Sequence, residues 1–173
     1  MLHAHPDQPS AWVQRWAPLI APGGRVLDVA SGSGRHARLL AARGLTVDAL
    51  DRDAQALAGL TGLAGVSTHC ADIENAPWPC EPGAYSGVVV TNYLHRPLFK
   101  DLIAALAAGG VLIYETFATG NERFGRPSNP AFLLEPGELL EVVRGRLRVV
   151  AYEDLQVDDP KPAMVQRICA IAG

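Results

Sequence analysis

Short apolar runs alternate along the chain with longer stretches whose apolar positions recur every three or four residues. The first pattern is that of strands, the second that of helices packed on them. Strands are predicted over residues 25–30 (RVLDVA), 45–50 (LTVDAL), 66–70 (VSTHC), 85–91 (YSGVVVT) and 111–117 (VLIYETF). The first helix covers 11–21, capped by Ser10, with Trp12, Val13, Trp16, Leu19 and Ile20 as one apolar stripe. The second covers 35–43 and stops at Gly44. A third follows the cap residue Asp53 and carries Leu57, Leu60 and Leu63, weakened by Gly59 and Gly62. A fourth starts near Pro97 and runs to about 108, where Gly109 and Gly110 end it; a fifth runs from Pro136 to near Gly145. Residues 147–157 and 164–172 read as closing strands around the turn Asp158-Asp159-Pro160-Lys161-Pro162, and a hairpin there makes one strand antiparallel. Apolar strands alternating with helices form a sheet covered on both faces. The expected architecture is a single doubly wound α/β domain with a seven-stranded, mostly parallel sheet and one antiparallel strand. Residues 118–134 form a long polar connection, of the kind that tends to carry function.

Length and charge narrow the picture. The 173 residues suit one domain, and at 49% hydrophobic the chain buries a core without staples. Lys and Arg number 15 against 18 Asp and Glu, a net charge of −3. That balance argues against stable nucleic-acid binding, which draws on a broad basic face, although RNA or protein can still be met briefly as a substrate. Cys70, Cys80 and Cys169 form no CxxC pair and are odd in number, so free thiols are expected. The first residues lack a basic start followed by an apolar stretch, and no run approaches the ~18 apolar residues of a membrane span, so a cytoplasmic protein is expected. His3 and His5 stand alone and give no metal-ligand pattern.

The informative stretch is Val26-Leu27-Asp28-Val29-Ala30-Ser31-Gly32-Ser33-Gly34-Arg35-His36-Ala37. Strand, glycine-rich turn and helix follow in order, which places a nucleotide-like ligand at the carboxyl end of the first strand. Gly32 and Gly34 let the ligand approach backbone that a Cβ would shield. The run from Gly32 to Ala37 satisfies the dinucleotide fingerprint G-x-G-x-x-A, and Asp51 lies 17 residues past Gly34, near the offset of a ribose-binding acid. An NAD(P)-dependent oxidoreductase is therefore one reading. Asp28 favours another, because its carboxylate repels a pyrophosphate and attracts a cation. A unit charge at ~4 Å is worth several kcal/mol at an effective dielectric near 20. S-adenosylmethionine carries a sulfonium and an ammonium and no phosphate. Asp28, Asp51 and Asp72 each end or follow a short strand, so a parallel sheet sets all three along one rim. No nearby His or Glu gives these acids a metal-site spacing.

Residues 24–117 resemble the class I S-adenosylmethionine-dependent methyltransferases, a Rossmann-like family. The stretch 26–34 (VLDVASGSG) is similar to the family's first motif, with Ala30 where glycine is commonest. The stretch 47–51 (VDALD) resembles the second, whose terminal acid grips the ribose hydroxyls, a role that falls to Asp51. In 70–73 (CADI), similar to the third, Asp72 accepts from the adenine amino group and the amide of Ile73 meets the ring. The stretches 88–93 (VVVTNY) and 109–117 (GGVLIYETF) resemble the fourth and fifth elements. The resemblance implies the strand order 3-2-1-4-5-7-6, S-adenosylmethionine as donor and S-adenosylhomocysteine as product. It implies donor-binding positions at Asp28, Ala30, Ser31, Gly32, Gly34, Arg35, Asp51, Arg52, Asp72, Ile73 and Asn92. It divides the chain into an N-terminal helical segment (1–23), which often lids the donor pocket in this family, a donor-binding half (24–117) and an acceptor-side half (118–173). Beyond 117 it rests on strand count and order alone.

Methyl transfer is a direct displacement at a carbon activated by positive sulfur, so alignment and desolvation carry most of the acceleration. A base is needed only where the acceptor must lose a proton early. Tyr93 and His95, after the fourth strand, are the catalytic candidates, with His95 alternatively a surface residue at a helix start. The N/D-P-P-Y/F pattern of enzymes that methylate planar amino groups is absent. Glu115, Arg123 and Arg126 are candidates for acceptor binding, the arginines for an anionic group. Glu115, inside a hydrophobic strand, suits a buried ion pair equally. Arg35 either meets the donor carboxylate or pairs with Asp51. Little chain is left for a separate recognition domain, which favours a small-molecule acceptor. A non-catalytic donor-binding or activator subunit is the remaining alternative.

Overall fold

The computed structural model describes residues 7–173, and His3 and His5 lie outside them. Seven strands form its sheet: β1 Arg25–Val29, β2 Thr46–Asp51, β3 Val66–Cys70, β4 Tyr85–Thr91, β5 Leu106–Phe117, β6 Leu147–Val157 and β7 Ala163–Ala172. Their spatial order is β3-β2-β1-β4-β5-β7-β6. Neighbours from β3 to β5 are parallel, while β7 runs antiparallel to both β5 and β6. This is the doubly wound, mostly parallel sheet with one reversed strand that the sequence led us to expect.

Helices α1 (Ala11–Trp16), α2 (Arg35–Ala42) and α3 (Ala54–Ala58) lie over one face, and α4 (Phe99–Ala104) and α5 (Glu138–Val143) over the other. Strand alternation supplies both cores. Val26, Val47, Val89 and Ile113 turn toward Trp12, Ala37 and Leu40, while Leu27, Leu50, Val88 and Tyr114 turn toward Leu102 and Leu139. Full burial on both faces explains why these strands read as continuous apolar runs.

The helices are shorter than their periodicity implied. The first ends as α1 at Trp16 and tightens into a 3-10 turn at Ala17–Leu19, where Pro18 has no amide to donate. The fourth begins as a 3-10 turn at Arg96–Leu98, becomes α4, and stops before Leu106, which already pairs with Tyr85. Residues 107–110 then bulge out before β5 rejoins β4 at Gly87↔Val111. The connection 118–134 is ordered by two 3-10 turns, Asn121–Arg123 and Pro130–Phe132, and by a parallel bridge from Ala118 to Leu134.

Candidate active site

A cavity of about 590 Å³ opens at the carboxyl ends of the parallel strands, the expected place in a doubly wound sheet. One end is built from the edges of β1, β2 and β3. Ala30, Asp51, Arg52, Asp72 and Ile73 all line it, together with Glu74. The other end is built after β4 and β5, from Asn92, Tyr93, Leu94, Thr116 and Phe117, with Pro127 and Phe132 from the 118–134 connection.

The glycine-rich turn owes its shape to backbone that most residues avoid. Ala30 sits at φ 52°, and Gly32 follows at φ 56°. At Gly34, φ is 83° and an added Cβ would strike the side chain of Leu60, so glycine there serves the packing of α2 against the end of α3. Asp51 holds the turn from the next strand: its Oδ2 accepts from the Gly32 amide at 2.8 Å and its Oδ1 from the Asp53 amide at 2.8 Å. Asp72 Oδ1 accepts from the Glu74 and Asn75 amides, and its Oδ2 from the Asn75 side chain at 2.9 Å. The Asn75 bond and these amides hold the Asp72 carboxyl below its usual range.

Asp28 lies behind the turn rather than in the cavity wall and is 1% exposed. Burial pushes its carboxyl up to about 7, against the opposing pull of the Ala37 amide and the Arg35 charge. Its Oδ2 has no partner, nor does the buried hydroxyl of Ser31. The full anionic charge expected from the sequence is thus only partly present near neutral pH, because desolvation offsets it.

Arg35 neither pairs with Asp51 nor lines the cavity, and donates instead to the Gln8 carbonyl at 2.9 Å. The residues before α1 are held further by His36, whose role the sequence did not disclose. The Ser10 amide donates to His36 Nε2 at 2.9 Å, which places the ring proton on Nδ1, 3.3 Å from the Thr91 hydroxyl. Burial, then the Arg35 charge, lower this imidazole to about 3, so it stays neutral.

Glu115 does not line the cavity. Alternation along β5 turns it to the α1 face, where it accepts from the Ser10 hydroxyl at 2.6 Å and pairs with Arg167 at 3.0 Å. Its neighbour Thr116 lines the cavity instead. Arg123 donates to the Gly120 carbonyl and stacks over Phe124, and neither Arg123 nor Arg126 is in the cavity wall.

Tyr93 and His95 converge on Glu74, which sequence reasoning passed over. The Tyr93 hydroxyl donates to Glu74 Oε1 at 3.0 Å, and His95 Nδ1 lies 3.5 Å from the same oxygen. Burial first, then the Glu74 bond, raise the Tyr93 hydroxyl above its ordinary range, so it keeps its proton. His95 itself is outside the lining. Phe117, Pro127 and Phe132 were also missed, although the run Phe132-Leu133-Leu134 stands out as apolar within a polar connection.

Residues 26–110 match a family model described as a methyltransferase domain. TehB from Haemophilus influenzae shares the fold with a TM-score of 0.78 at 20% identity, over 95% of this chain and 63% of that one. The chain therefore spans less than two thirds of TehB. An S-adenosylmethionine dependent methyltransferase from Mesorhizobium loti superposes with a TM-score of 0.70 at 16% identity, over 94% of this chain and 98% of that one. Geranyl diphosphate C-methyltransferase from Streptomyces coelicolor A3(2), in complex with Mg2+, geranyl diphosphate and S-adenosyl-L-homocysteine, gives 0.68 at 16% identity, over 94% and 80%. At such identities the likeness is one of fold. No curated protein matches the chain in sequence. Sheet order, glycine-rich turn and the methyltransferase-domain match over residues 26–110 together give this chain the fold shared with the S-adenosylmethionine-dependent methyltransferases. Among the described residues, no helix is long and apolar enough to cross a membrane.

Proposed function

We propose that the chain transfers a methyl group from S-adenosylmethionine to a small molecule held at the β4–β5 end of the cavity. The observation that carries this reading is one continuous cavity with two chemically distinct ends. The acidic rim supports a cationic nucleoside at the β1–β3 end, and the chain's own 118–134 connection walls the other end. A volume near 590 Å³ falls within the range of small-molecule sites.

In this reading Asp51 exchanges its amide partners for ribose hydroxyls, and Asp72 with Ile73 meets the adenine, supported by their common position in the cavity wall. The buried, unpartnered Asp28 Oδ2 and Ser31 hydroxyl offer sites to a bridging water that links them to the donor. When bound, the donor supplies a methyl carbon on positive sulfur; the acceptor's lone pair forms the new bond as the carbon–sulfur bond breaks and its electron pair stays on sulfur. Tyr93 walls the reacting space as a hydrogen-bond donor, not as a base. A proton released by the acceptor passes to the Glu74–His95 pair at the rim.

Calorimetry with S-adenosylhomocysteine and with NAD(P)H tests the donor half directly. Saturable binding of the former and none of the latter is expected. Binding of nicotinamide cofactors alone would overturn the reading. Turnover of labelled donor with a small-molecule acceptor panel then separates an enzyme from a donor-binding subunit, for which no methylated product forms.

A further inference from the structure

Phe132 is a large aromatic side chain left 52% exposed, directly before Leu133 and Leu134, which are both buried. It is not exposed for want of order. Asn129 caps the turn that carries it, accepting from the Ala131 amide at 3.0 Å. The Leu134 amide donates to the Phe117 carbonyl at 3.0 Å, and the Thr119 amide returns to the Leu134 carbonyl at 2.9 Å.

Arg96 adds the decisive restraint. Its guanidinium donates to the carbonyls on either side of Phe132, Ala131 at 3.1 Å and Leu133 at 2.9 Å. Its remaining donors fork onto Glu138, Nε to Oε1 at 2.6 Å and Nη2 to Oε2 at 3.0 Å. Burial alone would raise Glu138, but the Arg96 bond and the Glu135 amide outweigh it, so the carboxyl stays below its ordinary range and ionised. A planar five-donor fork suits this task and an ammonium does not. Arg96 also directly follows His95, so one side chain joins the loop after β4 to the strap carrying Phe132.

The wall so fixed is made of Tyr93, Leu94, Phe117, Pro127 and Phe132, with Asn92 and Thr116 as its polar members. Among the described residues no member of this wall is cationic, because Arg123 and Arg126 stand outside and Glu115 is turned to the other face; the carboxylate that meets the wall, Glu74 on the Tyr93 hydroxyl, would repel an anion. Burying an unpaired ionised group against such a wall is costly, whereas a flat apolar face gains contact area on two phenyl rings. We propose that this end of the cavity selects an uncharged, flat, largely apolar acceptor that presents one nucleophilic heteroatom, and that Arg96 is the positioning residue for its aromatic wall. This deepens the methyltransferase reading and rests on it.

The test uses the full chain saturated with S-adenosylhomocysteine and two probes on the same flat ring system, the neutral 2-naphthol and the anionic 2-naphthoate. Calorimetry is expected to give at least tenfold tighter binding of the neutral probe. Phe132→Ala, at an exposed position that does not threaten folding, should weaken 2-naphthol about tenfold, the equivalent of ~1.4 kcal/mol. Donor-product affinity should stay within about twofold in that variant, and Phe132→Tyr should restore the probe. Arg96→Lys should weaken 2-naphthol as well, with S-adenosylhomocysteine affinity of the folded protein little changed. Tighter binding of 2-naphthoate, lost on Arg123→Ala or Arg126→Ala, would overturn the proposal in favour of an anionic acceptor. Indifference of 2-naphthol to Phe132→Ala would overturn it too. Absence of S-adenosylhomocysteine binding in the unaltered protein would instead remove the donor reading beneath it.

Discussion

Replacing Asp28 by Asn is expected to make the protein more stable as the pH rises, and to weaken its grip on the donor. Burial raises the Asp28 carboxyl from its ordinary 3.8 to about 7 in the folded protein. Between those values the folded chain keeps a proton that the unfolded chain releases, so stability falls as the pH increases. This is the reverse of a salt-bridged aspartate. At about 1.4 kcal/mol per pH unit, the full penalty of ionising Asp28 is on the order of 4 kcal/mol, of which roughly a third to a half has accrued by pH 5 and nearly all by pH 8. Asparagine keeps the acceptor for the Ala37 amide and removes the titration, at a fixed cost of about 1–3 kcal/mol for a buried amide without a full set of partners. The advantage of the variant over the parent should therefore grow by about 2–3 kcal/mol from pH 5 to pH 8, or roughly 5–10 °C in melting temperature for a chain of this size. Differential scanning calorimetry at the two pH values measures it, and other titrating groups cancel in the difference. His36 stays neutral in the folded protein, and the stability it gains as pH rises through the ordinary imidazole range is common to parent and variant and cancels. A melting difference that is the same at both pH values, or that shrinks at pH 8, would refute the reasoning. In the parent, a cationic donor favours the ionised carboxylate, so its affinity should rise with pH up to about 7 and then level.

Asp51→Ala should weaken S-adenosylhomocysteine by ten- to a hundredfold, since hydrogen bonds to a charged group contribute ~1.5–3 kcal/mol; isothermal calorimetry reads this, and unchanged affinity removes Asp51 from the site. Asp48 is buried on the other face, accepting from the Tyr85 hydroxyl at 2.8 Å and paired with Arg25 at 2.6 Å. Asp48→Ala should therefore lower stability by about 1–3 kcal/mol in urea denaturation, since the Arg25 left behind is half exposed, with donor affinity of the folded fraction unaltered. Gly34→Ala should also cost stability, because its Cβ meets Leu60 at a φ of 83°. A melting temperature equal to the parent's would show that Leu60 moves aside freely.

The strand–turn–helix rhythm, the glycine-rich turn and the acids at Asp51 and Asp72 were legible in the sequence because each depends on spacing of a few residues. A short strand fixes where its end lies, and an acid one or two residues further reaches the rim. The partners of Glu115, Arg35 and Arg96 were not legible. In a sheet buried on both faces, alternation leaves no polar stripe to show which way Glu115 turns, and its partner Arg167 lies 52 residues away on a reversed strand. Arg96 and Glu138 are 42 residues apart and meet only because the 118–134 connection folds back along β5. The sequence by itself determined the layered sheet and the acidic end of the cavity, because local periodicity and short spacings are enough to place strand ends. Only the tertiary structure decided the aromatic end and the protonation of Asp28, because both arise from burial, and burial is created by contacts between segments that are distant in the chain.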